Sequence, residues 1–159
     1  MTTAIFPGKF DPVTMGHLDI IKRASRLFNR VVVAVFEGQE RELLFTTEER
    51  IALTREAIGS IRGVEVDSFR GLVVDYARSK GAEVMVRGLR LNTDFEYEFE
   101  MALMNRKLAP DVDVVCLMTD IQYQFVRASL LKEVARLGGD IGGLAPPNVI
   151  KALGERFGK

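Results

Sequence analysis

"AIFPGKFDPVTMGHLDIIKRASRLF", residues 4 to 28, runs from a short apolar strand through a polar turn into a helix. Ala4 to Pro7 form the apolar run. From about His17 to Phe28, the residues Leu18, Ile21, Ala24, Leu27 and Phe28 share one helical stripe. Directly after Gly16 stands His17, the single histidine of 159 residues. A strand that turns straight into a helix opens a βαβ unit, and the rest of the chain repeats the pattern.

"VVVAVF" (Val31 to Phe36), "VEVDSF" (Val64 to Phe69), "EVMVR" (Glu83 to Arg87) and "VDVVCLM" (Val112 to Met118) read as four further strands. They are rich in valine, and two are nearly continuous in apolar residues, as expected for strands covered on both faces. Helices separate them. Thr46 with Glu49 three residues on is a capping-box pattern that opens a helix to about Ile58. Another spans roughly Leu72 to Lys80 and stops at Gly81. Ser129 is expected to cap "LLKEVARL", which ends at Gly138-Gly139, and Pro146-Pro147 open a last helix carrying Val149, Ile150, Leu153 and Phe157.

"DFEYEFE" (Asp94 to Glu100) alternates acid and aromatic residues with period two, which by itself argues for a strand. Thr93 as a cap, acids in the first turn and the helical spacing of "MALMNRKLA" argue for a helix, and we predict a helix. The alternating order predicts one α/β domain over residues 1–159. Its frame is a Rossmann-like, doubly wound, five-stranded parallel sheet with right-handed crossovers and helices on both faces.

Composition narrows the function classes. Hydrophobic residues make up 47% and charged residues 28%, as in globular proteins. Lys+Arg and Asp+Glu number 22 each, so no global field draws the chain to nucleic acid or an anionic membrane. The single Cys116 excludes an internal disulfide, and its apolar run "VVCLM" predicts a buried, inert thiol. "MTTAIFPG" has no signal-peptide character, and no run of eighteen apolar residues occurs, so a cytoplasmic location is expected.

Parallel sheets bind ligands beyond the carboxyl ends of their strands, where five polar loops gather. "PGKFDPVTMGH" follows the first strand, and "EGQERELLF", with Arg41, the second. "FRGLV" (Phe69 to Val73) follows the third, "RGLRLNTD" (Arg87 to Asp94) the fourth, and "TDIQYQFVRAS" (Thr119 to Ser129) the fifth. Any one arginine here reads as an ordinary solvated loop residue. Several cations converging on one edge of a net-neutral chain point to a polyanionic ligand.

Gly8 and Gly16 let backbone approach that ligand, and the helix that begins near His17 directs free amides toward it. An imidazole at this place is pushed down in pKa by the helix end and up by phosphates, and in either charge state donates a hydrogen bond. From these residues alone, a phosphate donor and a capping or packing histidine both stand.

Other chemistries fail on inspection. No Gly-Lys-Ser/Thr completes a P-loop, and no dinucleotide-binding glycine triplet follows the first strand. One histidine and one cysteine do not build the usual zinc site, and no nucleophile elbow supports a Ser129–His17 pair.

Thr14-Met15-Gly16-His17, inside "FPGKFDPVTMGHLDI", resembles the Thr-x-Gly-His signature of a nucleotidyltransferase superfamily. "FTTEERIAL" (Phe45 to Leu53), "VRGLR" (Val86 to Arg90), "DFEYEFEMALMNRKL" (Asp94 to Leu108) and "SLLKEVARLGGD" (Ser129 to Asp140) are similar to the phosphopantetheine adenylyltransferase family within it. The resemblance runs along the whole chain in order. It implies adenylyl transfer from ATP to 4'-phosphopantetheine, giving dephospho-coenzyme A and pyrophosphate, with Mg²⁺, in a homohexamer that coenzyme A can inhibit.

By that resemblance His17 stabilises the transition state; Lys9 and Arg90 are the cations we assign to the same charge. ATP is held by Lys9, Phe10, His17, Gly88, Leu89, Arg90 and Glu98, and by the segment Tyr123, Gln124, Phe125, Val126, Arg127, Ala128 and Ser129. Phosphopantetheine is held by Lys9, Arg41, Val73 and Arg87.

Three positions depart from the family pattern. Lys9 stands where Thr or Ser is usual, Arg41 where Lys is usual, and "VRAS" (Val126 to Ser129) where Ile-Ser-Ser-Ser is usual. Arg for Lys keeps the charge and changes the hydrogen-bonding geometry. We expect the reaction to survive these changes. A related transferase with another phosphorylated acceptor, or a non-catalytic nucleotide or coenzyme A binder, are the competing readings.

Overall fold

In the computed structural model, which describes residues 1–91 and 93–158, five strands form one all-parallel sheet. The strands are β1 (Thr3–Gly8), β2 (Arg30–Phe36), β3 (Val64–Phe69), β4 (Val84–Leu89) and β5 (Asp113–Met118). The helices are α1 (Met15–Leu27), α2 (Thr47–Ile58), α3 (Val73–Ser79), α4 (Thr93–Leu108), α5 (Ala128–Arg136) and α6 (Pro147–Arg156). Strand order β3-β2-β1-β4-β5 reverses between β1 and β4. Ligands sit at such a switch point because the crossovers on either side leave a crevice above the strand ends.

Strand alternation divides the core. Phe6, Val31, Val33, Val35 and Val86 pack toward α1, α2, α5 and α6, against Leu18, Ile20, Ile21, Ile58, Leu131, Val149 and Leu153. Ile5, Val32 and Met85 point the other way, against Val74 and Ala77 of α3 and Ala109 and Val112 after α4. This second layer is thinner, and a groove opens in it between α3 and α4.

Several expectations are corrected. Helix α1 begins at Met15, two residues before His17, because Thr14 caps it. Leu27 leaves the buried stripe and is 61% exposed, whereas Ile20 joins it. Cys116 is exposed, because β5 is an edge strand and α4 covers its Val114 but not the residues beyond. Ser129 does not cap α5: the chain enters the helix at Arg127, whose carbonyl accepts the first helical bond from Leu131, and Ser129 lies inside the first turn. As expected, "DFEYEFE" is helical, within α4. The cap expected of the Thr93 side chain lies outside the described residues.

Candidate active site

At the switch point, a cavity of about 210 Å³ is lined by Gly8 at the end of β1 and Lys9 and Phe10 after it, Thr14, Gly16, His17 and Ile20 of the α1 start, and Arg87, Gly88 and Arg90 of β4 and its loop. Glu98 of α4, Thr119 after β5 and Val126 close it. Lys9 and His17, from the segment after the first strand, and Arg87 and Arg90, from the end of the fourth and its loop, therefore face one space.

Thr14 and His17 form a reciprocal cap. The Thr14 hydroxyl accepts the His17 backbone N–H at 3.2 Å, and His17 Nδ1 accepts the Thr14 backbone N–H at 3.0 Å. A glutamate usually closes such a box. An imidazole in that place has consequences for its proton. A backbone N–H only donates, so Nδ1 carries a lone pair and the neutral ring holds its proton on Nε2. Burial, then the charges of Arg90 and Arg87, lower the His17 pKa to about 3. The ring is a neutral Nε2–H donor at physiological pH, which answers the charge-state question that the sequence left open.

Phe10 packs beside the imidazole with ring centroids 4.8 Å apart, and Phe6 stands at 6.3 Å. Phe10 adopts a left-handed backbone, φ 49°, which a non-glycine residue takes only when its surroundings enforce it. Gly88 has a different reason to be small. A Cβ there would stand 3.1 Å from Ile20 Cγ1, so the glycine lets the end of β4 close on α1.

Arg87 donates to both Glu98 oxygens at 2.9 and 2.7 Å and to the Pro7 carbonyl at 2.7 Å. Burial opposes its charge, but the Glu98 hydrogen bond and charge outweigh that and raise its pKa. Arg90 donates to the Val126 carbonyl at 2.8 Å, which ties the β4 loop to the segment before α5.

The groove between α3 and α4 is a second cavity of about 600 Å³. It shares Pro7, Gly8, Lys9, Arg87 and Glu98 with the first and is otherwise mostly apolar, lined by Phe36, Phe69, Val73, Met85, Met101 and Leu108 among others. Lys9 and Arg87 thus stand at the junction of a polar and an apolar space. Sequence reading found Val73 for this groove and missed Asn105, Met101 and Tyr97, which line it from α4.

Not every expected residue reaches a cavity. Arg41 is exposed on a short 3-10 turn (Glu40–Glu42) and bonds Gln39 at 3.1 Å, outside both spaces. Of residues 123–129, Val126 alone lines the polar cavity. Tyr123 packs over Gly16, Gln124 donates to the Thr119 carbonyl, and Phe125 is exposed. Arg127, Ala128 and Ser129 make the start of α5, and Leu89 ends β4 beside the cavity residue Gly88.

Sequence comparison bears on the same region. Residues 5–134 match the cytidylyltransferase-like family model. The chain is 52% identical, over 97% of its length and 94% of the relative's, to a phosphopantetheine adenylyltransferase from Thermomicrobium roseum. It is 50% identical to the enzyme of that name from Roseiflexus sp., over 100% of this chain and 99% of the other. The chain belongs to the phosphopantetheine adenylyltransferase family. A crystal structure from Vibrio parahaemolyticus, named for nicotinate-nucleotide adenylyl transfer, superimposes with a TM-score of 0.71. At 16% identity over 98% of this chain and 93% of that one, it shows the shared fold.

Proposed function

We propose that this chain transfers the adenylyl group of ATP to 4'-phosphopantetheine, forming dephospho-coenzyme A and pyrophosphate. The observation that carries the reading is the pair of joined cavities. One is polar and faced by His17, Arg87 and Arg90; the other is mostly apolar and about 600 Å³ in volume, room for a flexible arm; Lys9 and Arg87 stand where they meet.

In this reading an oxygen of the acceptor phosphate attacks the α-phosphorus of ATP, and the bond from that phosphorus to the β-phosphate oxygen breaks. A phosphate monoester has a second pKa of about 6, so the nucleophile is already ionised at neutral pH and no general base is required. The protein's work is to align two anions and to stabilise the charge that moves to the leaving pyrophosphate. His17 donates its Nε2–H to the phosphates, Arg90 and Lys9 supply charge, and Arg87 takes the acceptor phosphate in competition with Glu98. The nucleotide rests on Phe10, Gly88 to Arg90, Glu98 and the segment 123–129. Val73 lines the acceptor groove, and Arg41 meets the acceptor only if its turn moves.

Among the described residues no group of three His, Cys, Asp or Glu side chains is arranged to hold a metal. Glu98, the carboxylate that lines the cavity, is engaged by Arg87. We assign Mg²⁺ to the substrate, as the MgATP complex, because a nucleotide-bound Mg²⁺ takes most of its ligands from phosphates and water.

The reading extends to assembly. Phe95, Phe99, Leu103, Met104 and Leu108 of α4 are each 44% exposed or more, so the "MALMNR" helix carries an apolar surface instead of ordinary core. That surface supports a homo-oligomer, and the family resemblance makes it a hexamer. Coenzyme A, which carries both halves of the product, is the expected inhibitor. Among the described residues no helix is long and apolar enough to cross a membrane.

The test is pyrophosphate release from ATP and 4'-phosphopantetheine, with and without Mg²⁺. Release that needs both substrates is expected. ATP binding without release would make the chain a binding module, and release with another phosphorylated acceptor alone would change the substrate.

A further inference from the structure

Arg50, on the first turns of α2, is fully buried. Its guanidinium lies under the floor of the site, and every N–H is engaged. Nη1 donates to the Lys9 carbonyl at 2.8 Å and the Phe36 carbonyl at 2.7 Å. Nη2 donates to the Glu37 carbonyl at 3.0 Å and Thr47 Oγ1 at 3.1 Å, and Nε to the Phe45 carbonyl at 3.2 Å. Lys9 follows the last residue of β1, and Phe36 is the last residue of β2. One side chain therefore gathers the carbonyls at the ends of two neighbouring strands and the entry to α2.

Such a brace matters because of what hangs on it. Beyond Lys9 the chain turns through the left-handed Phe10, whose ring backs His17. One residue later it is fixed again, where the Asp11 carboxylate accepts the Leu44 and Phe45 N–H groups at 3.0 Å each. The turn that carries Lys9 into the junction of the two cavities is thus pinned on both sides of Phe10. Arg50 is the pin on the Lys9 side.

We infer that Arg50 is a positioning residue for the transfer reaction: it touches no substrate cavity, and it fixes the Lys9 backbone so that the ammonium and the ring behind His17 stand in register with both anions. Lysine cannot replace it. An ammonium is a point donor and does not span four carbonyls, whereas the planar fork does. This inference rests on the adenylyl-transfer reading above.

The experiment is a double-mutant cycle on the full chain, Arg50→Lys against Lys9→Ala, read as kcat and both KM values well below the melting temperature. Arg50→Lys is expected to lower kcat about tenfold with the ATP KM within about twofold, the signature of an interaction felt mainly in the transition state. With Lys9→Ala also present, the combined loss should be at least about threefold smaller than the product of the single losses. A purely structural arginine gives multiplicative losses, and that result overturns the inference, as does an unchanged kcat in Arg50→Lys. If Arg50→Lys fails to fold, Thr47→Val, which removes one acceptor and keeps the arginine, decides by the same cycle. An unsubstituted chain that releases no pyrophosphate refutes the functional reading instead.

Discussion

Thr14 and His17 hold each other at 3.0 and 3.2 Å, backbone to ring and hydroxyl to backbone, in the first turn of α1. The same contacts that start the helix decide which nitrogen of the imidazole carries the proton. Structure and chemistry coincide in one motif: the threonine caps the helix, and the buried Gly16 between the two sits against Tyr123 and Thr119. The histidine closes the box and lines the cavity; in the proposed reaction its remaining N–H serves the phosphates.

Because the chain has one histidine, its ring is visible alone in an NMR titration. The His17 signals should not move between pH 8 and pH 5, and nitrogen shifts should report the Nε2–H tautomer. A midpoint near the ordinary value of 6.5 would show that the ring is solvated. The folded pKa of about 3 lies below the unfolded 6.5, so from pH 6.5 down toward 3 the unfolded chain takes up a proton that the folded chain refuses. This contribution is full above pH 6.5 and is lost as pH falls, by at most about 1.4 kcal/mol per pH unit. His17→Gln should flatten the acid limb of a denaturation series accordingly.

His17→Ala should lower turnover by about 10²–10³-fold, the range for loss of one preorganised donor at a developing charge. ATP affinity, measured by calorimetry without acceptor, should change far less. Near-normal turnover with collapsed binding would mean that the ring holds ground state and transition state alike.

The sequence made the frame and the site legible to different depths, for physical reasons. Valine-rich runs of five to seven residues separated by helical stripes can hardly arrange themselves except as a parallel sheet, and the loops at its ends followed. "DFEYEFE" is helical as expected despite its strand-like period: Phe95, Tyr97 and Phe99 are all more than half exposed, so no core imposes a helical spacing on them. Cys116 is exposed against expectation, because a run of apolar residues does not reveal whether its strand is central or an edge. Arg50 was invisible for a similar reason. It shares the buried face of α2 with Thr47, Thr54 and Ile58, and three polar residues in that stripe look like solvent-facing positions. The signal was the spacing 47, 50, 54, 58, which keeps to one face of a helix whatever the polarity of its members.

Asp11 should prove the main stability anchor of the turn. It is 4% exposed and accepts Leu44 N–H, Phe45 N–H and Lys132 Nζ, the last at 2.8 Å. Asp11→Asn leaves a largely buried ammonium with a weaker partner and offers an amide where acceptors are needed. The expected loss is about 3 kcal/mol in denaturant unfolding, with Lys132→Met in the same chain restoring part of it. A loss below about 0.5 kcal/mol would place the pair with exposed ion pairs, which contribute little.

Lys9→Thr tests the departure from the family pattern. The lysine side chain is exposed and lines both cavities, so its charge acts on the two phosphates through partly aqueous surroundings. Charges acting across water are weak and screened by salt, so the threonine variant should keep kcat within about tenfold of the unsubstituted chain. Its rate should also depend less on ionic strength, because one steering cation is gone. The measurement is steady-state pyrophosphate release at low and at physiological salt. Complete inactivity of a folded Lys9→Thr protein would show that the lysine is required by the reaction in this chain, with Arg90 and His17 insufficient to balance the charge at the α-phosphate.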